Sequence, residues 1–263
     1  MIKTKLALFS FVAMTALCAV SPSFANAADI TGAGSSFAAP IYGAWAEASK
    51  GTTGVNVNYQ SVGSSAGQDQ VIARTVDFGA SDKPMAATRL ASEHLFQFPT
   101  VMGGIVVVVN VPGVDAGKLR LDGPTLAALF DGEITEWDDA RIKALNPGLN
   151  LPDTDVAPIH RADGSGTSYV FTSYLAQVSA TWKQKLGAGT SIAWPGGAGA
   201  RGNDGIAAMV KQTEGGVGYV EYAYAAQNHL NIAQMKNHAG SFVSPSLAGF
   251  AEAAASADWA HAD

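Results

Sequence analysis

Three times in this chain a Gly/Ser turn opens a helical stretch, and that recurrence constrains the fold more than anything else in the sequence. The first turn is Thr31-Gly32-Ala33-Gly34-Ser35-Ser36-Phe37. It runs into a helix predicted over residues 38–48, with Pro40 in the first turn and Ile41, Ala44, Trp45 and Ala48 on one face. The second, Gly63-Ser64-Ser65-Ala66-Gly67, follows the alternating strand pattern Val55-Asn56-Val57-Asn58-Tyr59-Gln60 and precedes Gln70, Val71, Ile72 and Ala73. The third, Arg161-Ala162-Asp163-Gly164-Ser165-Gly166-Thr167-Ser168, joins an apolar run at 156–159 to a helical one carrying Phe171, Tyr174 and Leu175. Strand, turn and helix in this order predict an α/β protein with parallel-rich sheets flanked by helices.

The third turn also carries chemistry. The first turn of a helix presents unpaired N–H groups and the positive end of the helix dipole, a combination suited to an anion. Glycines allow close backbone approach, Ser165 and Thr167 add hydroxyl donors, and Arg161 offers a planar, charge-assisted fork. The competing reading is an ordinary Ser/Thr helix cap. Val76-Asp77-Phe78-Gly79-Ala80-Ser81-Asp82 reads as a short strand ending in two polar residues. In open α/β sheets ligands sit beyond the carboxyl ends of strands, which makes Asp82 a candidate for the same crevice, against the alternative of a solvated loop acid.

Gly104-Ile105-Val106-Val107-Val108-Val109 is a near-continuous β-branched run of the kind buried on both faces in parallel sheets, and a crossover to a second lobe is expected after Asn110. Helices are expected at 124–130 and 138–145. The Gly-rich loop 194–202 lacks phosphate-loop spacing, and Asn203 or Asp204 is expected to cap a helix over 205–212. Tyr219, Tyr222 and Tyr224 read as packing residues.

Several classes are excluded. A net charge of −6 without a basic stripe argues against nucleic acid as a partner, while leaving a small anion open. The five histidines show no metal-ligand spacing, so neither a metal nor another cofactor is expected. Gly63-Ser64-Ser65-Ala66-Gly67 matches the G-x-S-x-G pattern of hydrolases, with Ser65 as the would-be nucleophile; the pattern is short and common in Gly/Ser-rich chains. Residues 1–27 read as a cleavable signal peptide: Lys3 and Lys5, an apolar run over 6–20, then Ala25-Asn26-Ala27. The only cysteine, Cys18, lies inside that segment, preceded by Leu17 where a lipoprotein signal would have a small residue. Its removal leaves a chain without disulfides, resting on its core.

The motifs TGAGSSFAAP, NYQSVGSSAG, VDFGASD, LFQFPTV, RADGSGTS and GNDGIAA together resemble the periplasmic phosphate-binding protein of the high-affinity phosphate ABC importer, over about residues 29–258. The resemblance implies the type II periplasmic binding protein fold, two α/β lobes hinged about a ligand cleft, here as lobe 1 (28–110) and lobe 2 (111–263). It implies a non-enzymatic, monomeric periplasmic receptor that binds inorganic phosphate and docks on a membrane permease; another tetrahedral oxyanion, sulfate or molybdate, is the alternative ligand. Carried over residue by residue, the phosphate contacts are Ser36 and Phe37, Ser64, Asp82, Arg161, Ser165, Gly166 and Thr167. Asp163 pairs with the arginine and holds its fork. Ser65 and Ser81 are neighbours without a ligand role. Relatives continue several dozen residues past the position of Trp259, with a strand returning to lobe 1, so that lobe is expected to lack part of its sheet here.

Overall fold

The computed structural model describes residues 29–257; the expected signal peptide lies outside the described residues. The chain begins with β1 (Ile30–Gly34), α1 (Ala39–Thr53), β2 (Val57–Ser61), α2 (Ser64–Ile72), β3 (Phe78–Ala80) and α3 (Ala87–Ser92). It continues through β4 (Ile105–Asn110), β5 (Arg120–Leu121), α4 (Gly123–Asp131), α5 (Ala140–Leu145), β6 (Ala157–Arg161), α6 (Gly166–Val178) and α7 (Ala180–Lys185). The remainder is β7 (Ala198–Ala200), α8 (Gly202–Gln212), β8 (Gly216–Glu221), α9 (Tyr222–Gln227), β9 (Asn231–Ile232), β10 (Gln234–Lys236), β11 (Phe242–Val243) and α10 (Leu247–Ala255).

The first sheet has the order β2-β1-β3 and is parallel throughout. Its register sets Gly34 opposite both Ser61 and Ala80, so the three carboxyl ends, each feeding a polar turn, lie side by side. Gly34 adopts φ 143°, and a Cβ there would collide with the carbonyl oxygen of Ala80; only glycine lets β1 turn away this close to β3. Helix α1 is seated by Tyr42, edge-on to Tyr59 at 5.0 Å, with Tyr59 stacked on Phe78 at 5.9 Å. The apolar face expected for this helix is not its buried one: Trp45 is 47% exposed and Ile41 38%.

The second sheet has the order β7-β6-β8-β4-β9. Strand β6 runs parallel to β7 and β8, whereas β4 is antiparallel to both β8 and β9. The valine run is therefore buried on both faces, as its composition implies, but with antiparallel neighbours. It also belongs to this sheet rather than to the first, where a boundary at residue 110 would put it. The reason is visible in its two faces. Val106 and Val108 pack with Ile206, Val210 and Val220, while Val107 and Val109 join the larger cluster of Leu126, Leu129, Phe130, Phe171 and Tyr219. A strand this apolar needs a helix layer on each side, and α8 supplies one, α4 and α6 the other. A small third sheet, β11-β10-β5, lies beside it. Among the described residues no helix is long and apolar enough to cross a membrane.

Candidate functional site

The carboxyl ends of the first sheet face the carboxyl end of β6 and the amino ends of α6 and α8 across a polar cleft. Asp82, two residues past β3, is its acidic centre. The Ser35 hydroxyl donates to Asp82 Oδ1, the Thr167 hydroxyl to Oδ2 at 3.4 Å, and the Asp82 N–H donates to Ser64 Oγ at 3.2 Å. Burial pushes the Asp82 carboxyl above the ordinary aspartate range; the bond from Ser35, the charge of Arg161 and the hydroxyls of Thr167 and Ser64 offset only part of that. Gly166 lies against this group: a Cβ on it would sit 2.7 Å from Asp82 Cβ and run into Ser64 Oγ.

Arg161 ends β6 with a side chain only 1% exposed. Its Nε donates to Asp163 Oδ1 at 2.7 Å and its Nη2 to Oδ2 at 2.5 Å, a bidentate pair that fixes the plane of the guanidinium. Nη1 is buried with no hydrogen-bond partner among the described residues. A buried cationic donor left unmatched is costly, and it is the arrangement expected where an anion is to be received. Tyr219 steadies the same strand end: its hydroxyl accepts from the Arg161 N–H at 3.2 Å and lies 2.6 Å from Ser168 Oγ.

Burial alone would raise the Asp163 carboxyl, but the fork and charge of Arg161, with the Gly202 N–H at 3.2 Å, outweigh it and hold the group below its ordinary value of 3.8. The sign of the linkage follows. A carboxyl depressed on folding adds stability above pH 3.8 and loses it as the pH falls through the depressed value. Asp163→Asn is thus expected to flatten the acid limb of the Tm profile below about pH 4. An acid limb unchanged in Asp163→Asn would show that this pair does not govern it.

The other expected residues are arranged around this centre. Ser165 is the N-cap of α6, accepting from the Ser168 N–H at 3.0 Å, which leaves its hydroxyl hydrogen to be donated elsewhere. Cap and anion donor are therefore compatible roles of one residue. Gly166 and Thr167 carry first-turn N–H groups, which have no carbonyl one turn back to bind. Ser36 and Ser64 are buried at 2% and 1%. Phe37 differs from expectation: its N–H donates to Ser35 Oγ at 3.0 Å, the serine–turn bond that forms two residues on, rather than standing free. Ser81 faces away, donating to the Lys83 carbonyl at 2.7 Å.

Four residues of the site were not assigned to it by the sequence reasoning. Ser35 holds Asp82. Asn203, expected only as a helix cap, is fully buried in the cleft wall and bonded to Ser36 and Thr167. Tyr219 braces Arg161, and the Tyr224 hydroxyl donates to the Ser36 carbonyl at 2.7 Å, so two of the three tyrosines read as packing also make polar contacts here. No local pattern marks them, because each gains its role from a partner far along the chain. Outside the cleft, carboxylate oxygens of Glu136, Asp138 and Asp153 lie within 4.8 Å of one another, with Asp138 paired to Lys143 at 2.9 Å.

This fold and cleft define the class of two-lobed binding proteins, and residues 19–258 match the PBP superfamily domain. The chain is 52% identical over 236 residues to the phosphate-binding protein PstS of Haemophilus influenzae, covering 90% of this chain and 71% of that one. It is 51% identical over 233 residues to PstS of Xylella fastidiosa, covering 89% of this chain and 64% of the relative's length. Among solved structures, a high-affinity periplasmic phosphate-binding protein bound with phosphate superposes with a TM-score of 0.66 at 22% identity, covering 88% of this chain and 68% of that one. The chain belongs to the PstS family of phosphate-binding proteins.

Proposed function

We propose that the protein is a periplasmic receptor that closes two lobes on inorganic phosphate and delivers it to the membrane permease of an ABC importer. The observation that carries this reading is the pairing of a buried Arg161 Nη1, without a partner among the described residues, with a partly buried acid, Asp82, in a cleft otherwise rich in donors. Such a site asks for a ligand with several acceptor oxygens and one donor. Phosphate near neutral pH has both; sulfate and molybdate have no proton to give. The contacts are Ser36, Phe37, Ser64, Asp82, Arg161, Ser165, Gly166 and Thr167, with Asp163 holding the arginine. Phe37 would release its N–H from Ser35 to take part.

The lobes divide by sheet: the first comprises β1 to α3, the second starts at β4, and the segment between Ser92 and Ile105 carries the chain across. The permease and the periplasmic location are supported by the family and by the expected signal peptide. The hydrolase reading gains nothing from the geometry, since no histidine bonds Ser65 among the described residues and the Ser65 N–H is tied to the Gly164 carbonyl at 3.0 Å. Calorimetric titration of the phosphate-stripped protein is the test. One phosphate bound per chain, without turnover and without competition from excess sulfate, is expected; no heat with phosphate would overturn the reading.

A further inference from the structure

GNDGIAA is, with LFQFPTV, one of two motifs of the resemblance to which no ligand contact is carried over, and its second residue, Asn203, lies at the centre of the cleft's hydrogen bonding. Helix α8 has no side-chain cap of its own: Arg201, at the N-cap position, makes no such bond. The cap comes instead from the turn that follows β1. Ser36 Oγ accepts the Asn203 N–H at 3.1 Å and the Asn203 side-chain Nδ2–H at 2.8 Å. The same Nδ2 reaches Thr167 Oγ1 at 3.3 Å, and Oδ1 accepts the Glu221 N–H at 2.9 Å. One amide, with no exposed surface, thus touches the Ser36 turn, the first turn of α6 and the end of β8.

We propose that Asn203 is the positioning residue that arms Ser36 as a phosphate donor and ties that arming to closure of the cleft. The inference rests on the phosphate reading above. A hydroxyl oxygen has two lone pairs and one hydrogen. Asn203 fills both lone pairs with N–H donors, so Ser36 can take part in any further bond only by donating. Its hydrogen has no acceptor among the described residues, and at 2% exposure bulk water is not at hand. An anion oxygen in the cleft is the acceptor that this geometry selects. Because Ser36 lies in the turn that leaves β1 and Asn203 in α8, which packs on the second sheet, the hydroxyl is fixed in this sense only when the two halves are together. An open cleft returns Ser36 to solvent, free to accept as well as donate.

Phosphate titration of four proteins tests this: wild type, Asn203→Ala, Ser36→Ala and the double variant. Asn203→Ala is expected to weaken phosphate binding about tenfold, the equivalent of about 1.4 kcal/mol. In the Ser36→Ala background the same change is expected to matter less than about twofold, because its main target is gone and only the longer 3.3 Å contact with Thr167 remains. A purely structural role would lower the Tm equally in both backgrounds and leave the binding losses additive. Wild-type affinity in Asn203→Ala, or additive losses, would overturn the proposal while leaving the phosphate reading intact; absence of binding by wild type would overturn that reading itself. If Asn203→Ala does not fold, Asn203→Ser, which retains the backbone donor and a short hydroxyl, carries the same expectation at about threefold.

Discussion

Alanine at Arg161 is expected to weaken phosphate binding by about a hundredfold or more. Two effects combine. A hydrogen bond from a charged donor is worth about 1.5–3 kcal/mol, and each 1.4 kcal/mol is a factor of ten. Removing the guanidinium also frees Asp163, whose side chain is only 5% exposed, as an unpaired negative charge beside the anion site. Lysine is not expected to restore binding, because one ammonium cannot make the two-point contact with Asp163 and also present the donor now carried by Nη1. Arg161→Ala combined with Asp163→Ala separates the effects. It removes the buried charge and is expected to recover thermal stability, but not the arginine's own share of the affinity. Calorimetry alongside thermal melts reads both, and near wild-type affinity in Arg161→Ala would remove this residue from the site.

The second large effect is on ligand choice. Asp82 is partly buried, already receives the hydroxyls of Ser35 and Thr167, and as a carboxylate has nothing to donate. Sulfate, lacking a proton, would meet it charge to charge. A site built around a matched polar group can reject an analogue lacking that group by about 10⁴-fold. Asp82→Asn keeps an oxygen for Ser35 and places an amide donor toward the cleft, so the preference for phosphate over sulfate is expected to collapse toward parity. The raised carboxyl gives a second route to the same end. Falling pH protonates Asp82 before an ordinary aspartate, and wild type is expected to begin accepting sulfate in that window, as Asp82→Asn does at any pH. Competition titrations at neutral and acid pH check both; an unaltered phosphate preference in Asp82→Asn would count against Asp82 as the selecting residue.

What the sequence made legible was local. The turns at Ser35-Ser36, Ser64 and Ser165 announce themselves because glycine and serine before a helix have few other uses, and β4 because a valine run must be buried. What it hid was pairing. Whether Ser35 or Ser36 meets Asp82 depends on how one turn is oriented; in the event Ser35 takes the acid and Ser36 caps α8. Composition tells that β4 needs cover on both faces but not that its neighbours run antiparallel, since either direction buries the same methyl groups. Asn203 looked like a cap for its own helix, and the bond it makes is to a serine 167 positions earlier in the chain. Trp45 illustrates the opposite error: helical spacing predicts a face, and this face is not covered among the described residues.

The antiparallel seat of β4 also orders events in time. In the first sheet Ile30 pairs with Val57, 27 positions on, whereas β4 must wait for β8: Ile105 pairs with Glu221, 116 positions on. Closing the longer loop carries about 1.3 kcal/mol more chain entropy, and long-range pairings are reached late in folding. The β1–β2 pair can thus form while most of the chain is still unstructured. Arg161, Asn203 and the first turn of α6 reach their places only when the larger sheet closes, so the anion cleft is among the last features of the molecule to exist.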